Sequence, residues 1–346
     1  MNGAYIAHII ADKETGPRGH PVLSERLKED ISNLMLLCDV HHRLVDREGL
    51  DDHPVERLQA MKVAQEARIE LATSIAPEKQ SHVLLYGANV GQHASSVEYS
   101  QAARAMTPAW FPAEPRAIEL GTRNSSAVDH DPAYWIGEAK HLRLQFETQV
   151  RGRLQLGQIR HVSVFALAPQ PLLVLLGTLL SDIPAAEVYQ RHREPVPGWD
   201  WRADGPSADS SFLVHRPSTR ATRIALALAL SDELSAERIV PVLGTDVEVW
   251  HLTVAKPRHD LVRSRQQLVE FRNVTRDLLN EMTRRAREGE GVIHVFPAAP
   301  VSACVELGRV LQPKAHAVLR LYDQNAKAGG FVPALDVGAV PEALEQ

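Results

Sequence analysis

Apolar and polar residues alternate in blocks from residue 153 onward, and each block has the length of a strand or a helix. Short, nearly continuous apolar runs predict strands buried on both faces. The predicted strands cover residues 161–167, 223–230, 247–254, 291–296 and 317–322. A helical pattern begins at Ser264, a predicted N-cap, and ends before Gly289. This alternation predicts an α/β fold with a mainly parallel sheet covered on both faces.

One apolar pattern occurs twice in this part of the chain. Residues 165–180 align without a gap on residues 296–311, and the copies are followed by Tyr189 and Tyr322. Each copy predicts a strand, a tight turn and a helix. Two such units facing each other would place two helix N-termini at one crevice, which suits a ligand with two phosphates. The alternative interpretation is two packed βα units that recur by chance in apolar sequence.

The chain upstream differs in composition. Residues 1–73 are charged and rich in histidine, and they end in a predicted helix with Pro54 in its first turn. Residues 74–152 are mixed, with Gly, Ser and Pro punctuation, and predict a linker that merges into the next domain. Residues 153–346 then form the second predicted domain.

Composition narrows the possible functions. The chain has 346 residues, with 38 Lys and Arg against 43 Asp and Glu and a formal net charge of -5. No overall basic field is available to hold nucleic acid, so any such contact must be local. The two cysteines, Cys38 and Cys304, exclude a disulfide framework and a four-cysteine zinc site, and they fit a reducing cytoplasm.

No targeting or membrane segment is predicted. The first residues lack a basic region followed by an apolar one, so we expect no signal peptide. Residues 162–180 approach the length of a membrane span, but Pro169 and Pro171 would break a spanning helix. We therefore expect a cytoplasmic protein with no membrane partner.

The first module carries a spaced set of residues that suits phosphodiester chemistry. A strand ends at Ala7 and His8, a Gly-Pro-Arg-Gly loop follows, and a second strand from Asn33 enters a helix with Cys38 and a pair of histidines. Hydrolysis of a phosphodiester needs a base, a divalent metal and a residue that orients the base. This pattern resembles the HNH nuclease motif, a ββα-metal module.

The resemblance implies a role for each of these residues. His8 matches the general base, Asn33 the residue that orients it, and His42 the metal ligand on the helix. Cys38 and His41 match the second half of a structural zinc knuckle. The implied cofactors are Mg²⁺ or Mn²⁺ for catalysis and a structural Zn²⁺.

The sequence departs from the HNH pattern at two points. The family has an acidic residue or histidine before the base, where this chain has Ala7, so the second metal ligand is unassigned. The first cysteine pair of a zinc-bearing version would lie upstream of Met1. Two expectations follow: either the zinc knuckle is absent, or the first module lacks its upstream part.

The second domain resembles the SAVED sensor, made of two fused Rossmann-like (CARF-like) βα halves. Both repeat copies carry this resemblance, together with residues 188–193, 199–201 and 224–232. With the module before it, the chain resembles the HNH-SAVED effector nucleases of bacterial CBASS antiphage systems. In that family a cyclic dinucleotide, such as a cGAMP-like molecule, binds the sensor and drives an assembly that degrades double-stranded DNA in abortive infection.

Eight residues are predicted to contact the ligand. They are Gln170, Tyr189, Arg191, Trp199, Pro297, Ala298, Lys314 and Tyr322. Aromatic rings would stack on the bases, and the turns after Pro169 and Pro297 would hold the phosphates together with Arg191 or Lys314. The alternative is that the aromatic rings pack in the core or at its rim and that Lys314 makes a surface ion pair.

Three hypotheses of function follow. The first is a ligand-activated, metal-dependent endonuclease that assembles from dimer to tetramer, because one HNH module cuts one strand. The second is a cyclic-nucleotide sensor or assembly protein whose HNH module is inactive or truncated. The third, an ordinary nucleotide-dependent α/β enzyme, ranks last, because no glycine-rich phosphate loop joins a strand to a helix.

Overall fold

The computed structural model divides the chain into two compact units, Met1–Glu78 and Lys79–Gln346. The described residues are 4–73, 75–89, 97–121, 129, 131–181, 185–202, 205, 210–325 and 327–338. None of the helices formed by these residues has both the length and the apolar character that a membrane crossing requires.

The first unit contains a two-stranded antiparallel sheet followed by a helix. Strand β1, Tyr5–His8, pairs with β2, Leu34–Leu37. Helix α2, Asp39–Arg43, follows β2 after a single residue and continues into a π-helical turn at Leu44–Glu48. The predicted order of strand, strand and helix is therefore present.

The other helical segments described in the first unit are α1 (Leu23–Leu27), a 3-10 turn (Ile31–Asn33) and α3 (Val55–Thr73). Helix α3 begins directly after Pro54, as predicted. The small core of this unit consists of Ile9, Val45 and Leu58.

The second unit begins with an all-parallel five-stranded sheet. Its strands are β3 (Gln80–Gly87), β4 (Phe111–Pro112), β5 (Ile118–Leu120), β6 (Val162–Leu167) and β7 (Ala186–Val188). The order is β4-β3-β6-β7, and β5 also pairs with β3. Its helices are α4 (Tyr99–Met106), α5 (Pro132–Phe146), α6 (Gly152–Gln155) and α7 (Gln170–Leu179).

A six-stranded sheet forms the second half of this unit. Its strands are β8 (Leu213–His215), β9 (Arg223–Ala229), β10 (Val247–Thr253), β11 (Val292–Ala298), β12 (Val318–Asn325) and β13 (Gly330–Val337). The order is β13-β12-β11-β9-β10-β8, with a parallel centre and antiparallel edges. Its helices are α8 (Val240–Leu243), α9 (Arg265–Ala286) and α10 (Val301–Val310).

The helix predicted from Ser264 is confirmed in detail. The Ser264 hydroxyl accepts a hydrogen bond from the backbone N–H of Gln267, and the Gln267 side chain accepts one from the N–H of Ser264, which together form a capping box. The five strands predicted from residue 153 onward are also present. The predicted α/β class is thus confirmed, with two sheets in place of one.

The two repeat copies both fold as a strand, a turn and a helix. The first copy supplies β6 and α7, and the second supplies β11 and α10. Helices α7 and α10 pack against each other, with Gly177 and Gly308 at their contact. The halves of the second unit are therefore joined through equivalent helices.

One strand of the first sheet lies in the segment predicted to be a linker that merges into the second domain. Within residues 74–152, β3 lies inside the first sheet, between β4 and β6. Its side chains from Ser81 to Tyr86 are buried. The strand was missed because its apolar run is short and its neighbours β4 and β5 are shorter still, so local composition resembles a loop.

Candidate functional site

The N-termini of α7 and α10 meet at the carboxyl ends of the parallel strands. Helix α7 begins after Pro169 and α10 after Pro300, and neither has a side-chain cap. The Oε1 atom of Gln170 accepts a hydrogen bond from the backbone N–H of Ala299 at 3.1 Å, so the two turns are adjacent. Helix N-termini favour anions because their first N–H groups lack intrahelical partners.

A second glutamine also joins the two halves. Gln190 is buried, and its Oε1 atom accepts hydrogen bonds from the backbone N–H and the hydroxyl of Ser302 at 3.2 and 2.6 Å. The predicted ligand contacts include its neighbours Tyr189 and Arg191 but not Gln190. Successive side chains of an extended segment point to opposite sides. The sequence could therefore have shown that Gln190 faces the side opposite to Tyr189.

The loop between β10 and α9 brings cationic side chains to the same end of the second sheet. The backbone N–H of Arg258 donates to the carbonyl of Leu230, directly after β9, at 2.9 Å. Its Nε and Nη2 atoms are buried and have no hydrogen-bond partner among the described residues. Nε lies 3.6 Å from Asp260, beyond hydrogen-bond length. The side chain as a whole is 31% exposed, so a ligand can reach it, and its two buried nitrogen atoms make it a candidate for binding an anionic ligand.

His192 lies near the same loop and is also without partners. Its ring is 2% exposed, and neither nitrogen is hydrogen bonded in the described part of the chain. Burial, followed by the charges of Arg202 and Arg263, lowers its pKa to about 4. The ring is therefore neutral at pH 7, with one donor and one acceptor nitrogen, which suits a base edge better than a phosphate.

The sequence analysis missed both His192 and Arg258. A signal for Arg258 was available, because ligands of open α/β sheets bind at the loops that follow the carboxyl ends of the strands. Such a loop follows the predicted strand at residues 247–254. The burial of His192 depends on distant segments and has no local signal.

Three predicted aromatic residues belong to matching clusters, one in each half. In the first half, Tyr189 stacks on Phe165 at 4.4 Å and 17°, and Trp199 meets the same ring edge-on at 5.4 Å. The guanidinium of Arg191 lies 5.4 Å from the ring centroid of Trp199.

The second half repeats this arrangement. Tyr322 stacks on Phe296 at 4.4 Å and 14°, and Phe331 meets that ring edge-on at 5.1 Å. Arg238 lies 5.2 Å from the ring centroid of Phe331. The internal repeat thus extends from the backbone to the packing of the side chains.

These clusters correct the predicted role of the aromatic rings. Tyr189, Trp199 and Tyr322 are 0%, 2% and 4% exposed. They pack in the core, which was the alternative interpretation, and offer no open face for a base. Arg191 remains at the rim, where its Nη1 atom donates to Gln101 at 3.4 Å.

Three other predicted residues lie elsewhere than expected. Pro297 and Ala298 are strand residues of β11, paired with Leu228 and Ala229, and the turn begins only after them. The counterpart of Pro169 is therefore Pro300. Lys314 is exposed beyond the C-terminus of α10, the opposite end of that helix from the candidate site. Its distance from the site follows from the ten-residue helix between them.

In the first unit, the structure separates His8 from the side chain of Asn33. The Nε2 atom of His8 lies 3.0 Å from the carbonyl oxygen of Lys28. Asn33 is buried, accepts a hydrogen bond from the backbone N–H of Ile10 at 2.8 Å, and donates to the carbonyls of Ile10 and Leu27. Asn33 therefore holds the backbone after β1 rather than the ring of His8.

The candidate metal ligands form two pairs. The Cys38 sulfur lies 3.0 Å from Nδ1 of His41, and hydrogen bonding to His41 lowers the pKa of the exposed thiol. The Nε2 atom of His42 lies 3.4 Å from Oδ2 of Asp46. The other carboxylate oxygen of Asp46, Oδ1, pairs with Arg18 at 2.5 Å. No group of three or more possible ligands occurs among the described residues.

The two pairs fit the expected metals differently. Cys38 and His41 supply half of the four ligands that a structural zinc site needs, so the described residues do not fit that site. His42 and Asp46 fit better to Mg²⁺ or Mn²⁺, because Mg²⁺ keeps several waters and binds few protein groups. Arg18 competes for the same carboxylate.

Arg18 is a further residue that the sequence analysis left without a role. Its side chain is 7% exposed and donates to the carbonyls of Ile9 and Val45 at 2.8 and 3.0 Å. Its φ of 57° is in the left-handed region, which is uncommon outside glycine. Arg18 thus ties the Gly-Pro-Arg-Gly loop to β1 and to the turn that carries Asp46.

Comparison with known proteins identifies the second unit. A model of the SAVED family, described as the "SMODS-associated and fused to various effectors sensor domain", matches residues 142–337. None of the curated proteins that were compared matches the chain.

Several solved receptors resemble the chain at low identity. The Acinetobacter baumannii Cap4 SAVED/CARF-domain containing receptor with the cyclic trinucleotide 3'3'3'-cAAA is 12% identical, with 74% of this chain and 52% of the receptor covered and a TM-score of 0.43. The same receptor with 2'3'3'-cAAA is 12% identical, with 80% of this chain and 55% of the receptor covered and a TM-score of 0.42. The Moraxella osloensis Cap4 receptor is 12% identical, with 65% of this chain and 48% of the receptor covered and a TM-score of 0.39. The chain spans about half the length of these receptors.

Proposed function

The chain belongs to the SAVED family of sensor domains, and from this premise we propose that it binds a cyclic oligonucleotide and acts as a sensor in a CBASS-type antiphage system. The observation that carries the proposal is the meeting of two equivalent helix N-termini at one crevice, joined by Gln170 and Ala299. A ring-shaped ligand with two phosphates presents two anionic groups, and the two halves present two matching turns.

Each part of the crevice has a role in this proposal. The first turns of α7 and α10 hold phosphate oxygens through N–H groups other than that of Ser302, which donates to Gln190, since Pro171 of α7 has no N–H. Arg258 pairs with a phosphate and so gains the partner that its buried nitrogen atoms lack. His192, neutral at pH 7, donates to and accepts from the edge of a base. The ligand is accordingly a cyclic dinucleotide of the cGAMP type.

We further propose that the first unit is the effector, an HNH-type endonuclease that cuts double-stranded DNA. His8 stands at the end of β1 and takes the proton of the attacking water. His42 and Asp46 would hold Mg²⁺ or Mn²⁺, which supplies charge stabilisation at the phosphate when bound. Asn33 keeps the backbone after β1 in place, and Arg18 does the same for the loop and the turn that carries Asp46.

Ligand binding would activate this effector through assembly. A ligand shifts an equilibrium only as far as it binds one state better than the other. Two copies of the first unit are needed to cut both strands of a duplex, so an assembly of dimer to tetramer size provides a suitable switch. The ligand would therefore bind the assembled form more tightly than the free chain.

A second candidate function is a sensor or assembly protein whose first unit does not cut. The observation in its favour is the arrangement of the candidate metal ligands. Among the described residues these ligands occur in pairs, and no group of three or more is present. The carboxylate of Asp46 is also already paired with Arg18. In this alternative the crevice has the same ligand and the same role.

One experiment distinguishes the two candidates. The purified chain is incubated with plasmid DNA and Mg²⁺ or Mn²⁺ across a panel of cyclic di- and trinucleotides, and binding of each is measured by calorimetry. Cutting with only one or two ligands supports the ligand-activated nuclease. Tight binding without cutting supports the sensor alone, and no binding of any ligand contradicts both.

A further inference from the structure

Among the described residues, no strand pairs with the outer edge of β7 in the first sheet, whereas the equivalent edge in the second half carries one. β7 pairs with β6 on one side and ends the described sheet on the other. Its counterpart β12 pairs with β11 on one side and with β13 on the other. The strand β13 runs antiparallel to β12 from Gly330 to Val337.

The aromatic clusters show where the two halves diverge. Trp199 occupies the position in its cluster that Phe331 of β13 occupies in the other. After Phe331 the chain continues along β12, whereas after Trp199 it turns away, and the N–H of Arg202 donates to the carbonyl of Arg263 at 3.0 Å. Within the described part of the chain, the edge of β7 therefore has no counterpart of β13.

A groove of about 390 Å³ lies along this edge. It is lined by Ala185 and the three residues of β7, on the other side by Leu268 and Val269 of α9, and also by Trp110 and His161. Consecutive residues of a strand point to opposite faces, so all three residues of β7 can line one groove only if it reaches the strand edge. In the second half, β13 packs against α5, the helix that precedes β6 as α9 precedes β11.

The charged groups in the groove are already paired. Glu187 accepts a hydrogen bond from the indole N–H of Trp110 at 2.7 Å and pairs with Arg265. Arg272 pairs with the buried Glu306 at 3.2 Å. Because these charges have partners, the groove suits an uncharged, extended chain with apolar side chains better than an ionic small molecule.

We propose that this groove accepts an extended segment of a partner polypeptide as an added strand, antiparallel to β7 as β13 is to β12. Main-chain hydrogen bonds to β7 provide binding in this mode, and alternate apolar side chains contact Leu268 and Val269. β7 has three residues, so the added segment pairs over about three to four residues. The partner is a separate protein, because the described strands of this chain are already paired in its own sheets.

The first test uses a peptide with the sequence of residues 330–335, the uncharged part of the strand that the equivalent edge accepts. Binding of the capped peptide to the full chain is measured by calorimetry and by hydrogen exchange at Ala186–Val188. We expect saturable binding with protection of these amides. The absence of binding at millimolar peptide would overturn the proposal.

Two modified peptides test whether the backbone is recognised. In the first, the alternate backbone nitrogens that would face β7 are methylated. In the second, the intervening nitrogens are methylated, and Pro333, which has no N–H, is left unchanged in both. Strand addition predicts that one set weakens binding about tenfold or more while the other has little effect, because only alternate N–H groups face the neighbouring strand. Equal effects of both sets would show apolar adsorption and contradict strand addition.

A variant of the protein identifies the groove. Val269→Arg places a charged side chain in the groove and should weaken peptide binding about tenfold or more. Leu144→Arg, at an exposed position of α5, is the matched control and should leave binding unchanged. Self-association of the unliganded chain that Val269→Arg abolishes would assign the groove to a second copy and overturn the proposal of a separate partner.

Discussion

Gly177 and Gly308 lie against each other where α7 crosses α10. A Cβ atom on Gly177 would lie 2.8 Å from the Cα of Gly308 and 2.0 Å from the carbonyl oxygen of Val305. A Cβ on Gly308 would meet Gly177 and Val174 at the same two distances. This reciprocity is the geometry of a two-fold relation between the halves, contained within one chain.

Replacing either glycine should therefore destabilise the sensor. In Gly177→Ala or Gly308→Ala the added methyl group meets backbone atoms, so the helices must separate, at a cost of about 1–3 kcal/mol. Urea unfolding of the full chain would measure the change in the free energy of unfolding.

The matched control is Gly137→Ala. Gly137 lies inside α5, and a Cβ there meets no atom within 4 Å. Alanine should stabilise this helix by about 0.5–1 kcal/mol. Destabilisation by Gly137→Ala equal to that of Gly177→Ala would contradict the role assigned to the contact.

Asp323 should make the stability depend on pH. Burial, reinforced by the charge of Asp129, raises the pKa of its carboxyl from 3.8 to about 7. The folded chain keeps this proton up to about pH 7, whereas the unfolded chain releases it near pH 3.8. The folded state thus binds more protons in that window, and the Asp323 contribution to stability falls as the pH rises through it.

Asp323→Asn removes this effect. At pH 8 the variant should be more stable than the parent by about 2–4 kcal/mol, and the difference should shrink toward pH 5. Urea unfolding at the two pH values measures it, with Asp277→Asn on the exposed face of α9 as the control. If the difference in stability between Asp323→Asn and the parent were the same at both pH values, Asp323 would not be the source of the pH dependence.

His192 should contribute to ligand affinity without a charge. His192→Ala is expected to weaken binding of the activating cyclic nucleotide about tenfold or more, because a buried donor or acceptor is lost from the contact with the base. Since the pKa of His192 is about 4, this contribution should not change between pH 6 and pH 8.

Calorimetry with the ligand found in the panel measures both effects. The exposed His259 in the β10–α9 loop provides the control, and His259→Ala should bind as the parent does. Equal affinities of the His192→Ala variant and the parent would remove His192 from the site.

Asn33 and His8 should respond differently to substitution. Asn33→Ala leaves the buried backbone groups of Ile10 without partners, at a cost of about 1–3 kcal/mol each, and should loosen the first unit. His8→Ala should abolish cutting while keeping the fold and ligand binding, because its ring bonds a single carbonyl group.

Hydrogen exchange of the β1 and β2 amides separates the two outcomes. Protection should fall in Asn33→Ala and persist in His8→Ala. Cutting by His8→Ala at the rate of the parent would exclude His8 as the base.

The sequence predicted those features that have a local pattern. The capping box at Ser264, the buried strands and the repeat all follow from residues close together in the chain. The strand β3 was missed because its pairing with β6 joins residues far apart, such as Leu84 and Val164.

The site was predicted less well for a related reason. Residue types and their order in the sequence were enough to identify Gln170 and the two turns. The role of an aromatic ring, however, depends on whether the ring is buried. Tyr189 and Tyr322 are buried because they stack on Phe165 and Phe296, which the sequence does not show. The position of Lys314 depends on the direction of α10, which runs away from the crevice.

The glycine contact also has an evolutionary consequence. In a homodimer each substitution would occur in both halves at once, whereas in a single chain each half can change alone. Gly177 and Gly308 hold the shared axis, while the surrounding residues have diverged, with Trp199 in one cluster and Phe331 in the other. A chain with two such halves is thereby free to acquire a pocket whose two sides differ, and so to distinguish the two nucleotides of an asymmetric cyclic ligand.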